Sequence, residues 1–200
     1  MSDLLRELRN EAERRGLWEG GELSAAGVFK LVRDMPYARA SGREPSTTIH
    51  EWKGTCSGKH YLLKALFAEL GMPSKLIACT QDIRVPPEKL PPELRPLVEA
   101  GPIVDVHNYL IVETPQGETV VDATWPLSTE KLGTVVNHEF VPGRDMQVAC
   151  EPLETWTVPE GQDPQAFKEN LLRERYSAEE LERRDVFIRA ISQAMAAQKY

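Results

Sequence analysis

The stretch Gly54-Thr55-Cys56-Ser57-Gly58-Lys59-His60, running on to Gly71, most narrows what this chain can fold into. Leu62, Leu63, Leu66, Phe67 and Leu70 recur at three- and four-residue steps, which predicts an amphipathic helix with one face in a core. Thr55 reads as its N-cap and Gly71 as its C-cap, with Pro73 just beyond. Cys56 then sits in the first turn, where unpaired N–H groups and the positive end of the helix favour a thiolate. A cysteine so placed can act as a nucleophile, provided other segments supply its partners.

The chain is 200 residues long, enough for one domain with a real core. We expect a single domain over residues 1–200, with a core at about 24–158 and a helical C-terminal segment at about 163–196. The formal net charge of −7 is spread through mixed acidic and basic residues, which argues against a nucleic-acid surface. Three irregularly spaced cysteines without a Cys-x-x-Cys make neither a disulfide framework nor a zinc ribbon. The N-terminus is charged from the start and no apolar run is long enough to span a bilayer, so no membrane partner and a reducing cytoplasmic setting are expected.

Periodicity predicts helices over residues 2–15 and, from a Ser24 cap, over the stripe Val28, Leu31, Val32 and Met35 that Pro36 ends. Residues 37–53 lack periodicity and read as an ordered loop leading to the cysteine. After the Cys56 helix, residues 75–80 read as a strand containing Cys79, a buried structural thiol. Residues 85–102 are proline-rich and read as a surface excursion around one short helix. Strands follow at residues 104–113 and 118–123, joined by Thr114-Pro115-Gln116-Gly117 as an antiparallel hairpin. Met146-Gln147-Val148-Ala149-Cys150 could extend the sheet; Cys150 is assigned no function. Asp163-Pro164 and Ser177-Ala178-Glu179-Glu180 open two terminal helices, the second with a stripe of Leu181, Ile188, Ile191 and Met195. The fold class is therefore α+β.

Acyl transfer by cysteine needs a base, a group that orients the base, and donors for the oxyanion. In chain order the sequence offers Cys56, His107 on a strand, and Asp122 on the next strand. Asp122, within Val120-Val121-Asp122-Ala123-Thr124-Trp125, is costly in a β-branched strand unless partnered. The backbone N–H of Cys56 is the first oxyanion donor, and the Trp52 indole is the candidate for the second. A turn at Gln116-Gly117 would set Asp122 opposite Ile111, four positions or about 13 Å along from His107. The triad therefore requires a turn nearer Thr114-Pro115, or a bulge. Cys56, His60 and His50 fall short of a four-ligand set, so no metal is expected, and cysteine, imidazole and carboxylate leave no need for a cofactor.

Gly54-Thr55-Cys56 with its helix and the exit Gly71-Met72-Pro73-Ser74-Lys75-Leu76-Ile77 resembles the nucleophile block of the transglutaminase-like superfamily, within the papain-like cysteine enzymes. His107-Asn108-Tyr109 resembles the family's histidine block, with Tyr for the more usual Trp. Val121-Asp122-Ala123-Thr124-Trp125 resembles its aspartate block, and Val32-Arg33-Asp34-Met35-Pro36-Tyr37 loosely resembles a segment that precedes the core. The three blocks keep the family's order over residues 54–126. The resemblance implies a papain-like core, with the nucleophile helix packed on an antiparallel sheet. It implies Cys56 as nucleophile, His107 as general base and acid, and Asp122 as orienting carboxylate. The implied activity is acyl transfer or amide hydrolysis through a thioester, on a peptide, protein or small amide substrate. Transglutaminase, deamidase and peptidase chemistry stay open, as does the oligomeric state. Two alternatives accompany this reading: a catalytically silent transglutaminase-like scaffold, and an arylamine N-acetyltransferase-like enzyme, whose Arg-Gly-Gly before the cysteine is replaced here by Glu51-Trp52-Lys53-Gly54.

Overall fold

Side chains that satisfy orphan backbone groups open four of the seven described α-helices. The computed structural model describes residues 3–83, 87–90 and 92–197; Ser2, and residues 84–86 and 91 of the expected excursion, lie outside them, as does the side chain of Met195. Helix α1 is Asp3–Arg14, α2 Ala25–Asp34, α3 Pro45–Glu51 and α4 Cys56–Glu69. The short α5 is Arg95–Glu99, with α6 at Pro164–Arg175 and α7 at Ala178–Ala197. Ser24 accepts the Gly27 N–H at 3.1 Å and Asp163 accepts that of Ala166 at 2.6 Å, both as N-caps. Ser177 and Glu180 exchange bonds in a capping box before α7. Thr55 is the N-cap of α4 by position, without a side-chain cap bond. The C-terminus of α4 closes in a Schellman motif: Met72 N–H reaches Phe67 O, Gly71 N–H reaches Ala68 O, and Gly71 stands at φ +74°, where a side chain would be strained.

Strands β1 (Ser74–Ile83), β2 (Ile103–Thr114), β3 (Gly117–Val121) and β4 (Thr155–Thr157) form an antiparallel sheet in the order β3-β2-β1-β4. The fold is thus α+β, with seven α-helices among the described residues, none long and apolar enough to cross a membrane.

The chain divides into two compact units. The first holds residues 1–76 and 108–149. There α1, α2 and α3 pack on α4. The carboxylate of Glu69, at the end of α4, accepts the Leu4 and Leu5 N–H groups and so caps the start of α1. Helix α3 lies inside the stretch 37–53 that sequence alone reads as a loop. Its Thr-Thr-Ile run has poor intrinsic propensity, but Pro45 starts it and burial of Thr48 and Ile49 against its neighbours sustains it.

The β2–β3 hairpin also belongs to this unit. It pairs Leu110 with Val121 and Thr114 with Gly117, so the two turn residues are Pro115 and Gln116. The hairpin is regular and turns one residue earlier than a Gln116-Gly117 turn, which sets Asp122 level with Tyr109 rather than Ile111. Thr114 selects this turn, its hydroxyl accepting the Gln116 N–H and donating to Gly117 O. Residues 146–150 do not form a strand. Asp145 takes the Val120 N–H with its side chain and only Met146 adds a backbone bond, so the edge of β3 is blunted rather than extended.

The second unit holds residues 77–107 and 150–199. Its core joins Leu90, Leu94 and Ile103 to Phe187 and Ile188 of α7, with Ile191 packed alongside. The terminal helix thus docks on its own unit. A buried charge cluster adds to this: Asp105 on β2 accepts two bonds from Arg184 at 2.7 and 2.6 Å, with Lys168 at 3.6 Å. Burial raises the Asp105 carboxyl, but Lys168 and Arg184 outweigh it and hold the group below the usual carboxylate range.

The ionised Asp105 contributes stability above its unfolded value of 3.8, lost as pH falls through the depressed folded value. Asp105→Asn removes the carboxylate that Arg184 and Lys168 share, while Arg184 keeps its bond to Asp185. Urea unfolding at pH 7 should show a loss of about 3 kcal/mol or more, shrinking as the pH is lowered toward 3.

Candidate functional site

The first turn of α4 is buried on all sides: Cys56, Ser57, Gly58, Lys59 and His60 are each closed to solvent. Each polar group there needs a partner, and the partners define the site. Cys56 is 3 % exposed. Its Sγ lies 3.9 Å from Ser57 Oγ, and that hydroxyl donates to Asn108 Oδ1 of β2 at 3.0 Å. Cys56 occupies the helix start the sequence predicts.

Asp122 follows the last residue of β3 and is 1 % exposed. Its Oδ1 accepts the Thr124 N–H at 2.9 Å and its Oδ2 the Ala149 N–H at 2.8 Å. Its backbone carbonyl takes Asn137 Nδ2 at 2.9 Å.

His60 links the two elements. Its Nε2 accepts the Ala123 N–H at 3.0 Å, so Nδ1 carries the proton and donates to the Cys56 carbonyl at 2.7 Å. Nε2 also lies 3.6 Å from Asp122 Oδ1. Sequence reasoning weighed His60 only as a metal ligand; backbone groups engage both ring nitrogens instead.

Lys59 is the second tether. It is fully buried, and its Nζ donates to Arg33 O at 2.8 Å and Thr124 O at 3.0 Å. Gly54 leaves room for its stem, since a Cβ there would meet Lys59 Cγ at 3.1 Å. Burial pulls the Lys59 ammonium down from 10.5 to about 7; Asp34, Asp122 and Cys56 oppose the shift and Arg33 adds to it. Arg33 is itself buried, held by Asp34 and donating to Asn137 O and His138 O. Pro36 O receives the Gly54 N–H, and the Tyr37 ring lies 4.5 Å from that of Trp125. The segment Val32-Arg33-Asp34-Met35-Pro36-Tyr37, only loosely singled out by sequence, thus braces both the approach to Cys56 and the exit from β3.

Trp52 is buried beneath the Arg15 guanidinium, 5.2 Å from its ring. It ends α3 at φ 50°, the one non-glycine residue with positive φ among those described. A left-handed tryptophan four residues before Cys56 is a strained position that its packing must sustain. Cys56, Asp122 and Trp52 belong to the first unit; His107, 2 % exposed on β2, belongs to the second. Among the described residues no cluster of three or more His, Cys, Asp or Glu side chains could hold a metal ion.

No family model, no curated protein and no solved structure matches this chain.

The unfolded Lys59 keeps its proton up to about 10.5, whereas the folded one releases it near 7. The unfolded state therefore binds more protons in that window, and stability rises with pH. Urea unfolding from pH 7 to 9.5 should show wild type gaining roughly 1 kcal/mol per pH unit relative to Lys59→Met. Parallel curves for the two proteins would mean that Lys59 keeps an ordinary pKa.

Proposed function

We propose that this chain is a cysteine-dependent acyltransferase or amidase with a transglutaminase-like, papain-like core. Cys56 is the nucleophile, His107 the general base and acid, and Asp122 the carboxylate that orients the imidazole. The observation that carries the reading is that Asp122 and Cys56 share one unit: a buried carboxylate with backbone donors, and a thiol at a helix start, with His60 bonding the Ala123 N–H beside the first and the backbone carbonyl of the second. The hairpin register supports it. The turn sets Asp122 level with Tyr109, two register positions from Ile111, where a Gln116-Gly117 turn would set it. Residues 107 and 109 alternate onto one face of the strand.

In this reading the thiolate attacks an amide carbonyl, and the carbonyl oxygen becomes an oxyanion facing the Cys56 N–H and the Trp52 indole. The C–N bond then breaks, His107 passes its proton to the departing amine, and a thioester remains. Water or an amine attacks the thioester, gives its proton to His107, and releases the thiol. The substrate is a carboxamide or peptide. One observation favours a second reading, a silent scaffold on the same fold: Cys56 and His107 are both nearly closed to solvent.

Iodoacetamide labelling at pH 6, read at Cys56 by peptide mass mapping, separates the two. An activated thiolate labels quickly, and His107→Ala or Asp122→Asn slows it by at least tenfold; slow labelling indifferent to His107→Ala ends the activated-thiolate proposal. Glutamine-containing and short peptides should then yield ammonia release, amine incorporation or cleavage that Cys56→Ala abolishes.

A further inference from the structure

The proposed chemistry uses one of three cysteines. The other two stand 71 positions apart in sequence, yet their sulfurs are 3.7 Å apart in the second unit. Cys79 is fully buried in the middle of β1, where it pairs in register with Thr155 of β4. Cys150 is half-buried, at the head of the segment that leads into β4. That segment is fixed to β1 at the residue after Cys79: Thr80 N–H reaches Glu154 O, Leu153 N–H reaches Thr80 O, and Glu154 N–H reaches Thr80 Oγ1. The two sulfurs are therefore held in contact by backbone bonds of their own carriers, and neither thiol is in a disulfide.

We propose that Cys79 and Cys150 are a redox-active dithiol that closes to an intramolecular disulfide on exposure to a hydroperoxide. A disulfide needs about 2.05 Å between sulfurs, so the gap to be closed is small. The half-buried Cys150 meets the oxidant first. Its thiolate attacks one peroxide oxygen; an S–O bond forms, the O–O bond breaks, and the departing hydroxide takes a proton to become water. Cys79, as thiolate, then attacks the Cys150 sulfur; the S–S bond forms, the S–O bond breaks, and a second hydroxide leaves as water. Two thiols and one hydrogen peroxide give one disulfide and two waters, the sulfurs losing the two electrons that the peroxide gains. The bridge cross-links β1 to the strand-leading segment over a long loop, which restricts the unfolded chain. None of this depends on the role proposed for Cys56.

The test treats the full chain with hydrogen peroxide under native conditions, quenches with iodoacetamide and maps peptides. The expected products are a Cys79–Cys150 cross-linked peptide, an intact mass lower by about 2 Da, and one remaining thiol on denaturation, all reversed by dithiothreitol. Oxidised wild type should unfold at a higher urea concentration than reduced. Cys56→Ser should keep the bridge, whereas Cys150→Ala, at the less buried position, should lose it along with the urea shift. Bridges involving Cys56, sulfinic acid at Cys150 without a bridge, or both thiols alkylated after oxidation would each overturn the proposal.

Discussion

An ammonium group cannot stay in a protein interior without oxygen around it, and Lys59 meets that demand with two backbone carbonyls from distant parts of the chain. This one requirement ties the end of α2, the start of α4 and the exit from β3 together. His60 repeats the device with an imidazole, accepting from Ala123 and donating to Cys56. Three segments of the first unit, distant in sequence, are thus positioned by polar groups on one helical turn. The apolar residues further along α4 supply burial, and the polar turn supplies geometry.

The second unit solves its polar problem with charge. Asp105 faces Arg184 and Lys168 from two helices, so β2, α6 and α7 share one buried network. The apolar cluster of Leu90, Leu94, Ile103, Phe187 and Ile188 lies in the same unit. Substitutions among members of such a network are expected to be non-additive, since each shares Asp105 with the others.

Much of the helical architecture was legible because caps are local chemistry. Ser24, Asp163 and the Ser177–Glu180 box act as their sequence positions suggest. Helix α3 was not legible, because its Thr-Thr-Ile run forms a helix only through packing. The turn between β2 and β3 falls at Pro115-Gln116, shifted from Gln116-Gly117 toward the expected Thr114-Pro115 because the Thr114 hydroxyl sets it, and it is regular, without a bulge. Lys59 and His60 were missed although a signal existed. Stepping back from Leu63 by three and four residues lands on His60 and Lys59, and one such step further on Cys56, so the polar residues lie on the core stripe itself. The division between units falls within β1 and β2 rather than in a linker, where no change of composition could mark it.

The Pro115-Gln116 turn has a consequence for how this chain can vary over time. Side chains on a strand change sides with every residue. A single-residue insertion or deletion at the turn therefore rotates the whole of β3 and turns Asp122 away from the Ala149 amide. Paired insertions preserve the side but slide the carboxylate along β2. Drift in loop length, which most surface turns absorb freely, is closed to this one unless a compensating change arises between Val121 and Asn137. A comparison of homologous chains should find their gaps elsewhere.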